Sequence, residues 1–153
     1  MVSKKEWGNA VWKFFHVLSL KINEKTCNPQ TIKSLFQYIK NICRVLPCPV
    51  CSEHATQLLS QVNDYKCTTK KGLKDVLYIF HNNVNKQTDT KLFAYEKLKE
   101  YEKYNLIQCY NQMVARLINN NFAEMSNNMS KKILINNFKK FLIEQVQNKS
   151  LSL

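Results

Sequence analysis

The chain is 153 residues long, 44% hydrophobic, and carries 23 Lys and Arg against 11 Asp and Glu, a formal charge of +12. That length suits one domain with a core of its own. No apolar run approaches the ~20 residues of a bilayer-spanning helix, and no early stretch has the make-up of a cleaved leader, so a soluble chain with no transmembrane segment is expected. Only Arg44 and Arg116 are arginines and the lysines are scattered, which argues against a specific nucleic-acid reader, because such proteins concentrate arginine for its planar fork.

With 2 Gly and 3 Pro in the whole chain, few residues interrupt helices. Trp7, Val11, Trp12, Phe14, Phe15, Leu18 and Ile22 recur at three- and four-residue steps, which predicts a first helix over 5–22 with a broad apolar face. A loop over 23–28 leads to Pro29, well placed in a first helical turn. Ile32, Leu35, Phe36, Ile39 and Ile42 carry a second helix to about Val45, and Pro47 ends it. Pro49 opens a third helix to about Val62. A polar connection over 63–72 precedes a fourth helix over 73–85, and a loop over 87–91 follows. From Tyr95 helical spacing returns through Leu98, Tyr101 and Leu106 to Ile118.

The Asn- and Ser-rich stretch 119–130 reads as a linker. Ile133, Leu134, Phe138, Phe141, Leu142 and Val146 then place an amphipathic, lysine-rich helix at the end of the chain, able to pack on the domain, meet an acidic surface or lie on a membrane interface. The expected division is a domain over 1–118 and a C-terminal extension over 119–153. No segment alternates as a strand would. The predicted class is all-α, a short-looped bundle.

Six cysteines stand at 27, 43, 48, 51, 67 and 109. Cys48 and Cys51 are three apart, across the predicted start of the third helix. Unpaired backbone N–H groups and the positive end of the helix dipole favour a thiolate there. Pro49 stiffens the turn and has no N–H to leave unsatisfied. Several readings of the pair compete. A thioredoxin-like motif would need strands around it. A zinc-stabilised helical binding module would use Cys48, Cys51 and His54 with His16 or His81, yet no second knuckle is present. Flavin-linked dithiol oxidation and purely structural cysteines complete the set.

Two further blocks flank the pair. Gly8, Trp12 and His16 recur every four residues and so share one helix face. Trp offers a stacking surface, His a donor and an acceptor, and Gly lets a ligand approach the backbone; core packing alone would also explain the stripe. His81, Asn82 and Asn85 set polar groups on an otherwise apolar fourth helix, where they need partners, either a polar ligand or solvent.

Taken in order, Gly-x3-Trp-x3-His (Gly8, Trp12, His16), Pro-Cys-x2-Cys (Pro47, Cys48, Cys51) and His-Asn-x-Val-Asn (His81, Asn82, Val84, Asn85) resemble the Erv/ALR family of FAD-linked sulfhydryl oxidases, especially the short members of large DNA viruses. The resemblance spans about residues 5–104. It implies a four-helix bundle with a short fifth helix, FAD held non-covalently at one end, and a homodimer. Gly8, Trp12 and His16 would meet the cofactor from the first helix, and His81, Asn82, Val84 and Asn85 from the fourth. Lys91 would stand near the FAD phosphates, one residue out of register, and Tyr101 would replace a late aromatic. No metal is implied.

The implied mechanism passes electrons from protein thiols to Cys48, the more exposed sulfur, then through Cys51, beside the flavin, to FAD and O2, giving hydrogen peroxide. His54, one turn after Cys51, could tune its thiolate. The resemblance also places the enzyme in the host cytoplasm or virion if it is viral, or in the mitochondrial intermembrane space if cellular. Where many members carry a structural disulfide this chain has Tyr78 and Tyr95, so packing must close that end of the bundle. Cys43 reads as a buried helix residue, and Cys109 lies late enough for a mobile shuttle or an intersubunit link.

Overall fold

A computed structural model describes residues 2–118 and 125–153. Six α-helices run in order: α1 Lys4–Leu20, α2 Pro29–Cys43, α3 Pro49–Ser60, α4 Lys70–Gln87, α5 Leu106–Ile118 and α6 Met125–Gln147. Short 3-10 segments occupy Asp64–Cys67 and Tyr95–Lys103. The described residues hold no strand beyond an isolated bridge between Ile22 and Leu151. No helix among them is long and apolar enough to cross a membrane. The all-α reading stands.

Local chemistry sets the helix starts. Ser3 and Glu6 form a reciprocal cap on α1, with Glu6 N donating to Ser3 Oγ at 3.2 Å and Ser3 N donating to Glu6 Oε2 at 3.1 Å. Asn28 caps α2 through Thr31 N at 2.8 Å, with Pro29 in the first turn. Thr69 caps α4 through Gly72 N at 2.9 Å, three residues earlier than the apolar pattern predicted. Gly72 is required there, because a Cβ would collide with the Lys66 carbonyl of the preceding 3-10 segment.

One predicted run divides. Tyr95 to Ile118 reads as continuous helix in the sequence, but Tyr95–Lys103 winds as a 3-10 segment and α5 starts afresh at Leu106. Tyr95, Leu98, Tyr101 and Tyr104 recur every three residues, which matches three residues per turn. Asn105 then caps the new helix, accepting from Gln108 N at 3.0 Å.

Helix α1 is the centre of the molecule. It packs against α4, α5 and the Tyr95–Lys103 segment, while α2 meets α3, α4 and α6. Trp7, Ala10, Val11, Phe14, Phe15, Val17 and Leu18 are all buried, more of the circumference than one stripe. Phe14 meets Tyr110 of α5 at 5.2 Å and Phe138 of α6 at 5.6 Å between ring centroids.

Helix α6 lies on that face. Phe138 also stacks on Tyr38 of α2 at 4.6 Å, and Tyr110 donates its hydroxyl to the Ile135 carbonyl at 2.5 Å. Beyond α6 the chain returns to the bundle. Asn23 N donates to Ser150 O, Ser152 N to Lys21 O, and Leu106 N to Leu153 O, at 2.9–3.0 Å. The expected linker over 119–130 lies outside the described residues as far as 124; from Met125 the chain is helical.

Tyr78 and Tyr95, where the resemblance would place a structural disulfide, make an edge-to-face pair, with ring centroids 5.1 Å apart and planes at 85°. The Tyr95 hydroxyl donates to Asp75 Oδ1 at 2.7 Å. This contact ties α4 to the Tyr95–Lys103 segment where a covalent link would otherwise stand.

Candidate active site

The N-terminus of α1, the C-terminus of α2, the N-terminus of α3 and the C-terminus of α4 meet at one end of the bundle. A predominantly apolar cleft of about 590 Å³ opens there, within the size range of cofactor pockets. Cys48 and Cys51 line it and are joined by a disulfide, with Cα atoms 5.2 Å apart. Cys48 is the N-cap of α3, its sulfur accepting from Cys51 N at 3.2 Å, and Pro49 fills the first turn. Ser52 Oγ donates to the Cys43 carbonyl at 2.6 Å, which fixes the start of α3 against the end of α2. Both disulfide residues are half-buried, so burial does not divide them into an outer and an inner sulfur.

Gly8 and Trp12 form the α1 wall and Val84 and Asn85 the α4 wall. A Cβ at Gly8 would meet nothing within 4 Å, so the glycine faces open cleft. Trp12 packs on Phe80 at 4.9 Å and lies flat on the His81 ring at 4.1 Å, planes 12° apart. Phe80 lines the cleft as well.

The other predicted residues sit behind this wall. His16 is fully buried, its Nε2 2.9 Å from His81 Nδ1. His16 Nδ1 is buried with no hydrogen-bond partner. An orphaned lone pair is less costly than an orphaned N–H, so the favoured tautomer has His16 Nε2–H donating to His81 Nδ1. Burial, and next the neighbouring His81, lower the His16 pKa to about 3, and burial lowers that of His81 to about 4. Both imidazoles are neutral at physiological pH.

Phe93 and Tyr101 close this aromatic group. The His16 ring lies 5.6 Å from Phe93 and 5.2 Å from Tyr101, and His81 stacks on Phe93 at 5.5 Å. Asn82 does not line the cleft. It clamps the loop after α4, accepting from Phe93 N at 2.8 Å and donating to Phe93 O at 2.9 Å. Asn85 Nδ2 donates to Asn82 Oδ1 at 3.3 Å, and the Asn85 carbonyl accepts from Thr90 N at 2.8 Å. Between them Asp89 adopts φ 52°, a left-handed turn that aspartate tolerates. Lys91 follows, exposed and outside the cleft lining.

The cleft thus joins Gly8, Trp12, Cys48, Cys51, Val84 and Asn85, while His16, His81, Asn82 and Tyr101 support it from behind. Sequence reasoning missed Phe93, which lies in a loop without periodicity. It also missed Lys4 and Lys5, which line the cleft mouth. Lys4 was accessible to the same argument as Gly8, since 4, 8, 12 and 16 continue one stripe.

The remaining cysteines are free and buried. Burial pushes the Cys43 thiol up to about 12, and burial foremost raises Cys67 to about 12 and Cys109 above its ordinary value. Cys43 is the buried helix residue expected. Cys109, packed inside α5, does not suit a mobile shuttle. Among the described residues no three His, Cys, Asp or Glu side chains gather as metal ligands. Cys48, Cys51 and His54 line the cleft together, but the two cysteines are joined to each other and His16 and His81 are paired behind the wall.

The cleft fits a flavin in volume, in apolar character and in having a disulfide in its wall. Comparison with known proteins agrees. Residues 9–104 match the model of the Erv1 / Alr family. An FAD-linked sulfhydryl oxidase of African swine fever virus (isolate Pig/Kenya/KEN-50/1950) is 24% identical over 102 residues, covering 67% of this chain and 84% of that protein. The Malawi isolate Tick/Malawi/Lil 20-1/1983 has a relative of the same description, 24% identical over 101 residues, covering 66% of this chain and 83% of the relative. FAD-linked sulfhydryl oxidase ERV1 of Arabidopsis thaliana is 27% identical over 97 residues, 63% of this chain and half of that longer protein. With three ordered motifs, the helical bundle and a family match across most of its length, the chain belongs to the Erv1 / Alr family.

Proposed function

We propose that this protein is an FAD-dependent thiol oxidase that forms disulfides in thiol-bearing protein substrates and reduces O2 to hydrogen peroxide. The observation that carries the reading is the Cys48–Cys51 disulfide in the wall of the flavin-sized cleft. FAD bound in that cleft supplies the two-electron chemistry linking a dithiol to oxygen. The net reaction is two thiols and O2 to one disulfide and H2O2.

The chain's own part begins with the disulfide. A substrate thiolate attacks Cys48 Sγ, and Cys51 leaves as a thiolate at the N-terminal end of α3. Free N–H groups and the helix dipole stabilise that leaving sulfur. A second substrate thiolate then attacks the substrate sulfur of the mixed disulfide, releasing the oxidised product and Cys48 as a thiolate; the reduced Cys48/Cys51 pair would return to the disulfide by giving its two electrons to the bound FAD. Gly8, Trp12, Val84 and Asn85 hold the cofactor directly. His16, His81, Asn82 and Tyr101 would keep Trp12 and the loop after α4 in place. Trp12 and Phe80 exclude water from the apolar wall.

The reading extends to a homodimer, as the family resemblance implies. Its viral relatives favour the host cytoplasm or virion as the site of action, with the mitochondrial intermembrane space as the cellular alternative.

Two measurements test the function. The purified chain is expected to be yellow and to consume O2 when given a small dithiol. Cys51→Ser should retain FAD and lose turnover by several orders of magnitude. Full activity in that variant would reject the mechanism.

A further inference from the structure

Two lysines, Lys4 and Lys5, line the mouth of the cleft in the first turn of α1, upstream of the residues that match the family. Helix formation does not favour them there. The N-terminal end of a helix is electropositive and prefers acidic side chains, so two adjacent cations oppose the dipole. The acidic residue of that turn, Glu6, is engaged in the cap with Ser3 and lines a separate depression with Lys13 and Arg116. The cleft lining contains no aspartate or glutamate, and Lys4 and Lys5 are its lysines. The lysine charge of the lining is therefore concentrated at the start of α1.

Lys4 stands one turn before Gly8 and two before Trp12, on one face of α1. Thr88 and Thr90 at the end of α4 also line the cleft, their hydroxyls bonded to each other and to the backbone. Two cations beside a glycine that leaves the backbone accessible suit a phosphate group.

Resting on the FAD reading above, we infer that Lys4 and Lys5 hold the cofactor's diphosphate, the role the resemblance would give to Lys91. The diphosphate carries two negative charges and is the part of FAD that an apolar cleft serves least. At the cleft mouth it meets two ammonium groups and the positive end of α1. All three lysines are exposed, but Lys91, beyond the Asp89 turn, is not part of the lining, whereas Lys4 and Lys5 are.

The test titrates the full chain, stripped of flavin, with FAD and with riboflavin, following flavin fluorescence. K4Q/K5Q should bind FAD about tenfold more weakly, the scale of one exposed charge-assisted contact, and should bind riboflavin unchanged, since riboflavin has no phosphate. Wild-type FAD affinity should fall as salt rises, and that dependence should flatten in K4Q/K5Q. Unchanged FAD affinity in K4Q/K5Q overturns the inference, as does a loss confined to K91Q. An equal loss for FAD and riboflavin also overturns it, because the lysines would then act on the cleft's shape. Unchanged FAD affinity with a raised KM for acidic dithiol peptides would assign them to substrate instead. A chain that takes up neither flavin rejects the oxidase reading itself.

Discussion

His16 and His81 show how far a buried environment can hold a titratable pair in one state. Their rings share a single hydrogen bond at 2.9 Å inside an aromatic group, with His16 Nδ1 left without a partner. Both pKa values are depressed, His16 to about 3 and His81 to about 4, each mainly by burial. In the unfolded chain both titrate near the usual ~6.5. Between those values the unfolded state binds more protons than the folded state, so the contribution to stability is complete above about pH 6.5 and declines as pH falls towards 4 and then 3. The thermal midpoint of the flavin-free protein should therefore drop between pH 7 and pH 4. His81→Phe should reduce that slope by about one proton. A midpoint unchanged across this range would rule out a neutral buried pair.

Among the elements, the Tyr95–Lys103 segment departs most from its sequence pattern. Its aromatic and apolar residues repeat every three positions, and the 3-10 turn sets the segment against α1, with Tyr95 reaching α4. The Tyr78–Tyr95 pair and the hydroxyl bond from Tyr95 to Asp75 anchor its first turn. An edge-to-face pair is worth ~1 kcal/mol beyond its burial, less than the ~2–4 kcal/mol of a disulfide. A double-mutant cycle on Tyr78→Ala and Tyr95→Ala, read by chemical denaturation, should return a coupling of about 1 kcal/mol. Coupling indistinguishable from zero would mean that the two rings only fill space.

Across the whole molecule, α6 completes the core. Phe138 is fully buried and meets rings from α1, α2 and α5, and the Tyr110 hydroxyl has its acceptor in α6. Replacing Phe138 with Ala should destabilise the protein by about 3–5 kcal/mol, the usual cost of an aromatic cavity. Ending the chain at 118 should expose Phe14 and Tyr110 and leave Tyr110 without its acceptor. The shortened chain should have a lower thermal midpoint and bind more of a hydrophobic dye; an unchanged midpoint would show that α6 packs without contributing to the fold.

Much of this protein is written in short-range features. Prolines and three- to four-residue periodicity marked the main helices, because helix formation depends on neighbours along the chain. The order of three motifs carried the resemblance to a flavin-linked family, and that resemblance, not the spacing by itself, singled out the cysteine pair. Other features depended on distant contacts. The resemblance implied that His16 and Asn82 would meet the cofactor, whereas in the fold His16 pairs with buried His81 and Asn82 binds the Phe93 backbone. It marked α6 as amphipathic without naming its cover, since an apolar face specifies burial and not a partner. It offered Lys4 and Lys5 as ordinary surface charge. Only the meeting of four helix ends placed them at the mouth of the cleft.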